Sequence, residues 1–435
     1  MLQLVLGRSG SGKTQYICQA VAEAVRAGEA RVLLLVPEQY SFESERALLR
    51  LLGARDATRV QVLSFTRLAE TVARELGGGA GRRIDEVTRV LLMSQALESV
   101  SDTLTLYRRH TADASYVSSM LLAVQECKQY AVSPERLEQT ADALPEGLLR
   151  GKVRELSRIF GAYEALAANA YIDPLDALTL LAKQLPDSTL TQDAVVFVDG
   201  FKGFTEQEMA VLDGLIRQTR RMTVALTADT LSEEGGRYAL FAHVIRTANR
   251  LIRMARDHNI PVAAPVHLND HPRTADPALR ALEAGVFRPR AVVRNEPSDT
   301  VTVAPCADIY AECALVARTI RRLLRTEGLC CRDFAVVARN LSAYDGILDA
   351  ALEKAGISYY MDRREDVLTE PLGTLIRSAL RCATGRMDSG ELLQLLKTGL
   401  LGFSAHSIAL LENYVYLWNI SGSGWRQTWE WNPAG

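Results

Sequence analysis

A short apolar run, Leu2–Leu6, leads directly into Gly7-Arg8-Ser9-Gly10-Ser11-Gly12-Lys13-Thr14, and a helical pattern follows. The stretch satisfies G-x-x-x-x-G-K-[ST] between a strand and a helix, the setting in which that pattern cradles phosphate. Glycines at 7, 10 and 12 let the backbone curl so that successive N–H groups converge on an anion. The N-terminus of the following helix adds partial positive charge. Within this loop, Gly7, Arg8, Ser9, Gly10, Ser11, Gly12, Lys13 and Thr14 are the candidate nucleotide-binding residues. Lys13 would reach the β- and γ-phosphates, and the Thr14 hydroxyl would hold Mg²⁺. The ligand so predicted is ATP with Mg²⁺.

A second carboxylate-bearing strand stands far along the chain. Val195–Val198 is fully apolar and ends in Asp199, the place from which such a fold supports the metal ion. Hydrolysis also needs a group that orients the attacking water, and the usual glutamate after that aspartate is here Gly200. Glu206 and Glu208 follow, but Thr205-Glu206-Gln207-Glu208 fits a capping box and is expected to start a helix rather than act in catalysis. Losing a water-activating base slows turnover by ~10²–10⁴-fold. The expectation is therefore nucleotide binding with slow or absent hydrolysis, and no residue is assigned as catalytic.

The elements that must position these residues alternate over the first 75 or so positions: strand Leu2–Leu6, helix Lys13–Arg26, strand Val32–Val36, helix Glu43–Leu52, strand Val60–Leu63 and helix Ser64–Leu76. Fully apolar strands alternating with helices predict a parallel sheet covered on both faces. From Ile84 the periodicity turns helical, carried by Ile84, Val87, Val90 and Leu91 and later by Val153, Leu156, Phe160 and Tyr163. Asp173-Pro174 is an N-cap and first-turn proline. Val195–Val198 and Met222–Leu226 resume the sheet.

A second α/β unit is expected from strands Val301–Val303, Phe334–Ala338 and Ile357–Tyr360, with helices Ala307–Arg325 and Tyr344–Lys354 between them. The chain is helical after Pro371 and ends on "WEWNPAG" with no visible cap or packing element, as a piece of a longer protein would. The fold class predicted is α/β: a P-loop NTPase (RecA-like) parallel sheet with a helical insertion, then a second RecA-like α/β domain. Its parts are 1–78 and 191–272 (first domain), 79–190 (helical insertion), 273–298 (connector), 299–384 (start of the second domain) and 385–435 (start of a further helical insertion).

At 435 residues the chain has room for several cores, and its composition is that of an ordinary globular protein. A net charge of −2 excludes a uniformly basic nucleic-acid binder, so any such contact needs a local groove. Seven cysteines without a CxxC pair, and only six histidines, give no zinc site and suit a reducing compartment. No run reaches the length of a membrane span, and Met1 opens a strand without a secretory leader.

In order, "GRSGSGKT", "LLLVPEQYSFESE", "VQVLSFTRLAE", "VVFVDGFKGFTEQE" and "DFAVVARNLSAYDGILDAALEKAGISYYMDRRE" resemble the AddB family of bacterial ATP-dependent helicase/deoxyribonuclease subunits over essentially the whole chain. The most specific feature is "VPEQYSF" together with Asp-Gly-Phe in place of a helicase Asp-Glu. The resemblance implies a superfamily-one helicase architecture with a degenerate motor. On it, Gln39, Tyr40, Ser64, Phe65, Thr66 and Arg67 fall where related helicases touch single-stranded DNA, though Phe65 is equally a core residue. Arg339 matches an arginine that reaches the γ-phosphate from the second domain. Thr227-Ala228-Asp229 stands where helicases carry a sensor whose glutamine is absent here.

The implied partners are single-stranded DNA, duplex ends and an AddA-type subunit, with no membrane; the implied setting is the bacterial cytoplasm, at the nucleoid. The implied task is processing of double-strand breaks for homologous recombination. The family's 5'–3' exonuclease domain and its iron–sulfur cluster are expected outside this chain, and none of the seven cysteines is assigned to that cluster. Two other readings stay open: an active superfamily-one helicase, and a P-loop ATPase or scaffold without a DNA role.

Overall fold

The computed structural model describes residues 1–77, 82–108, 113–168, 171–232, 240–270, 272–273, 275–285, 287, 297–362, 366–385 and 387–430. The chain divides into two units, Met1–Val301 and Thr302–Gly435.

The first unit is built on β1 (Leu2–Gly7), α1 (Lys13–Arg26), β2 (Val32–Leu35), α2 (Ser41–Ala57), β3 (Val60–Leu63) and α3 (Phe65–Glu75). It then runs through β4 (Arg82–Arg83), α4 (Glu86–Val100), α5 (Ala114–Gln129), α6 (Pro134–Ala143), α7 (Leu148–Ala168), β5 (Tyr171–Ile172) and α8 (Ala177–Gln184). It closes with β6 (Val195–Val198), α9 (Glu206–Gln218), β7 (Arg221–Leu226), α10 (Ala242–Asp257), β8 (Val266–Leu268) and α11 (Pro277–Gly285). Six strands form an all-parallel sheet in the order β3-β2-β6-β7-β1-β8, with Leu34 opposite Phe197 and Leu4 opposite Val224. This is the α/β fold of the RecA-like kind that the alternation predicts.

Both faces of the sheet are covered, which explains strands without polar alternation. Val32 and Leu34 of β2 pack with Val195 and Phe197 of β6 and with Ile17 and Val21 of α1. Leu33, Leu35, Val196 and Val198 point the other way, into a core shared with α3, α8, α9 and α10. A parallel sheet brings the carboxyl ends of all its strands to one edge, and ligands of such folds bind in the crevice there.

The helical insertion has its own core, where Met93, Ala96, Leu97, Val124, Ile159, Phe160 and Tyr163 are buried. The face read from the sequence for α4 is corrected. Val87 and Leu91 are 68% and 63% exposed, whereas Leu92, Met93, Ala96 and Leu97 point inward. An alternative set of apolar residues at helical spacing lay one position further round the same helix, and packing selected it. Glu155 of α7 is buried and accepts from the backbone N–H groups of Thr105 (2.8 Å), Leu106 (2.9 Å) and Tyr107 (3.1 Å). Inside the same insertion, the buried Lys128 ammonium is held by Asp173 (2.9 Å), Asp176 (2.7 Å) and Glu164 (2.6 Å).

In the second unit, α12 (Ile309–Thr326), α13 (Leu348–Lys354), α14 (Pro371–Thr384), α15 (Ser389–Lys397) and α16 (Ala405–Leu417) form the described regular structure together with short 3₁₀ turns. The three strands expected at Val301–Val303, Phe334–Ala338 and Ile357–Tyr360 carry no ladder among the described residues. An apolar run becomes a strand only where another strand supplies hydrogen bonds, and Val303 and Val337 stand 89% and 90% exposed. Two smaller expectations also shift. The stretch expected as a connector contains α11, though residues 274, 286 and 288–296 of it lie outside the described residues. In the final "WEWNPAG", Trp429 is packed: it stacks on Tyr414 with ring centroids 5.5 Å apart and meets Trp425 at 5.2 Å, while residues 431–435 lie outside the described residues. Among the described residues no helix is long and apolar enough to cross a membrane, and all seven cysteines are free thiols.

Candidate nucleotide cleft

Three loops leave the carboxyl edge of the sheet from β1, β6 and β7, and together they wall a cleft of about 980 Å³. Loop Gly7–Thr14 follows β1. Gly10 (φ +85°) and Gly12 (φ +89°) are left-handed, a conformation that costs a residue with a Cβ ~1–2 kcal/mol. Gly12 occupies the N-cap of α1 without a side-chain cap, so the backbone amides of the first turn face the cleft unblocked by a capping side chain. Gly7 is needed for close approach, since a Cβ there would stand 2.2 Å from Ser11 Oγ and 3.0 Å from the Leu268 carbonyl oxygen.

Lys13 curls back over this loop and donates to the carbonyl oxygens of Gly7 (2.7 Å) and Arg8 (2.9 Å). Burial pulls the Lys13 ammonium below the ordinary lysine range; Asp199 opposes that shift and Arg273 adds to it. Thr14 is exposed on the same wall. Asp199, 6% exposed, extends β6 by donating its N–H to the Leu35 carbonyl at 3.0 Å, and its carboxylate lines the cleft. A hydroxyl and a carboxylate at a phosphate loop are the hard oxygen donors that suit Mg²⁺.

Gly200, next in the chain, has φ +82°, and a Cβ on it would meet Pro37 Cδ at 3.1 Å and Tyr40 Cδ2 at 3.4 Å. The absence of a glutamate here is thus built into the backbone. Neither glutamate that follows in the chain substitutes for it. Glu208 closes the capping box with Thr205, accepting its N–H at 2.8 Å, and Glu206 pairs with Arg250, Nη2 to Oε2 at 2.6 Å.

The other residues singled out from the sequence are dispersed. Arg8 turns away from the cleft and pairs with Glu283 of α11 at 2.8 Å. Tyr40 is 41% exposed and lines the cleft wall beside Gly200. Gln39 and Thr66 are exposed. Ser64 is buried as the N-cap of α3, accepting from the Arg67 N–H and donating to Glu38. Arg67 lies between Glu38 (3.3 Å) and Glu45 (3.6 Å). Phe65 resolves to the core alternative: it is 4% exposed, with Phe201 and Phe204 edge-on at 5.3 and 6.2 Å, so its ring faces are covered. Arg339 is exposed in the second unit.

Sequence reasoning missed part of the cleft. Leu240, Phe241 and His243, at the start of α10, form a wall of aromatic and apolar character, and Lys202 and Arg273 bring cationic side chains. Lys202 lies in the quoted stretch that carries Asp199, whereas the others are placed there by the strand order, which folds α10 and the chain after β8 back over β1. Elsewhere, the one acidic group among the described residues with metal-like spacing is Glu164, Asp173 and Asp176. Its centre already holds the Lys128 ammonium.

A covered parallel sheet with a glycine-lysine loop after its fifth strand in order and an aspartate after its third defines an α/β protein of the RecA-like class. A family model described as "ADDB, N-terminal" matches residues 4–283, and the chain belongs to that family. It is similar to proteins named as the B-type subunit of ATP-dependent helicase/deoxyribonuclease. The relative from Acetivibrio thermocellus is 32% identical over 435 residues, 99% of this chain and 38% of the relative. That from Desulforudis audaxviator is 35% identical over 439 residues, again 99% and 38%. That from Symbiobacterium thermophilum is 33% identical over 443 residues with the same shares. The chain therefore spans 38% of the length of these relatives.

Proposed function

We propose that this chain is the helicase-like, ATP-binding part of a heterodimeric helicase–nuclease that processes DNA double-strand breaks for homologous recombination. In this reading it holds Mg·ATP with little or no turnover and guides and scans single-stranded DNA, while an AddA-type subunit supplies the motor. Thr14 and Asp199 would hold the Mg²⁺ ion, and the loop amides and Lys13 the phosphates. The names of the relatives and the family membership support the wider assembly; the bacterial cytoplasm is its natural setting. The iron–sulfur cluster and exonuclease belong, in this proposal, to sequence outside the present chain.

One observation carries the central claim. Asp199 and Lys13 face one cleft, yet the position after Asp199 is a glycine at φ +82° with Pro37 against it, leaving no side chain at that position to activate water. The test is a calorimetric titration with Mg·ATP alongside a phosphate-release assay, with and without single-stranded DNA. Saturable binding that disappears in Lys13→Ala, with turnover at background, is the expected result. Sustained DNA-stimulated hydrolysis by the isolated chain would refute the degenerate motor and favour an active helicase.

A further inference from the structure

Helix α12 turns two unlike faces to its surroundings. Cys313, Ala317 and Ile320 are buried, with Val316 and Leu324 partly so, in a core shared with Leu348 and Leu352 of α13. Arg318, Arg321, Arg322 and Arg325 are all exposed. At 3.6 residues per turn they fall within an arc of about 100°, facing away from that core. No Asp or Glu occurs from Cys313 to Thr326. The helix's one acidic residue, Glu312, accepts from the Tyr344 hydroxyl at 3.2 Å. Among the described residues no carboxylate pairs with any of the four arginines; Arg318 Nε donates instead to the Ala314 carbonyl oxygen at 3.2 Å.

A solvated helix face normally mixes its charges, and this one does not. Arg318 stands three and four residues from Arg321 and Arg322, and Arg325 stands four and three from the same pair, spacings at which like charges weaken a helix. The helix dipole favours cations only in the last turn, which holds Arg325 alone. The mutual repulsion of the other three is offset by nothing in the helix, and a polyanion laid along the face removes it. The dimensions suit a nucleic-acid strand. From Arg318 to Arg325 the helix rises ~10 Å, over which one strand presents about three phosphates. Towards the N-terminus the same face continues over the small Ala311 and Ala314, and Tyr310, 66% exposed, flanks it. A basic stripe beside an open aromatic ring is the pairing by which sequence-tolerant binders hold the backbone and bases of a single strand.

We propose that this face of α12 is a single-stranded DNA contact, in which Arg318, Arg321, Arg322 and Arg325 hold successive phosphates and Tyr310 stacks on a base. The guanidinium fork suits phosphate oxygens. Contacts to phosphate position a strand without reading its sequence, so this one carries no sequence preference. It rests on the single-strand guidance proposed above and adds to it a site in the second unit.

The test is fluorescence anisotropy of a labelled oligothymidylate titrated with the chain at several salt concentrations. Arg318→Gln/Arg322→Gln should weaken binding about 10- to 100-fold, the loss of charge-assisted contacts. It should also make the logarithmic salt dependence shallower by about 1.4, two phosphates at ~0.7 each. Arg318→Lys/Arg322→Lys keeps the charges and should keep the wild-type slope. Tyr310→Ala should weaken binding about 5- to 100-fold with the slope unchanged, because a stacked ring releases no counterions. The thermal midpoint of the glutamine variant should not fall, since removing like charges relieves the helix. Wild-type affinity and slope in the glutamine variant would overturn the role of α12 and leave DNA binding elsewhere on the chain standing. If the wild-type chain does not bind the oligonucleotide, the single-strand reading falls, and the α12 contact with it.

Discussion

Placing a side chain on Gly200 tests whether the missing carboxylate is a simple deletion or a rebuilt backbone. The position has φ +82°, where an L-residue pays ~1–2 kcal/mol. A Cβ would also come 3.1 Å from Pro37 Cδ and 3.4 Å from Tyr40 Cδ2. Tyr40 is partly exposed and can swing, but the proline ring follows β2 and cannot move without shifting the strand. Such crowding adds ~1 kcal/mol or more. Gly200→Ala should therefore destabilise the first unit by about 2–3 kcal/mol, read as a lowered midpoint in urea unfolding followed by circular dichroism. Gly200→Glu should be at least as unstable and should hydrolyse no more ATP than wild type, because its carboxylate would spring from a left-handed, displaced backbone. An alanine variant within ~0.5 kcal/mol of wild type would refute the strain argument. A glutamate variant that gains sustained turnover would show that only the side chain was missing.

Three further outcomes follow from particular contacts. Phe65→Ala should cost ~3–5 kcal/mol, since the ring is buried against Phe201 and Phe204, whereas Tyr40→Ala should leave stability unchanged and alter Mg·ATP affinity. For Glu155, burial alone would raise its pKa, but hydrogen bonds from Thr105, Leu106 and Tyr107 prevail and hold it below the ordinary 4.5. Its contribution is fully present above pH 4.5 and lost as pH falls through the lower folded value, so Glu155→Gln should lower the midpoint at neutral pH and flatten the acid limb of a stability–pH profile. Burial draws the Lys13 pKa below 10.5, so phosphate affinity should decline with rising pH earlier than an unperturbed lysine would dictate, measurable by titration across alkaline buffers.

The first unit was legible because its signals are local. A glycine loop between an apolar run and a helix, and strands without polar alternation, each follow from a few neighbouring residues, and β1, β2, β3, β6 and β7 fall where those runs lie. The capping box at Thr205 was equally readable. What escaped depends on tertiary pairing. β8 is three residues long and exists through its ladder to β1. The chosen face of α4 depends on what α5 and α7 present to it. The expected strands of the second unit had the right composition, but composition supplies no partner. Arg273 illustrates the same limit at the site: it joins the cleft only because the chain returns past β1, and nothing in its neighbours encodes that return.

The composition of the cleft bears on why binding without turnover could be useful. Lys13, Lys202 and Arg273 face it against Asp199 and Glu43, so the wall favours a polyphosphate, while the position that would activate water is sterically closed. A ligand held this way contributes free energy only through binding: at 100 times its Kd it stabilises the bound state by ~2.7 kcal/mol. That is enough to shift a conformational equilibrium about a hundredfold, provided the alternative conformation does not bind the nucleotide. The residues that make such a difference are those whose position depends on conformation. Loop Gly7–Thr14 is fixed by the sheet, and the Arg8–Glu283 pair ties it to α11. A nucleotide that bound only with that pair intact would, by linkage, oppose any motion that parts it.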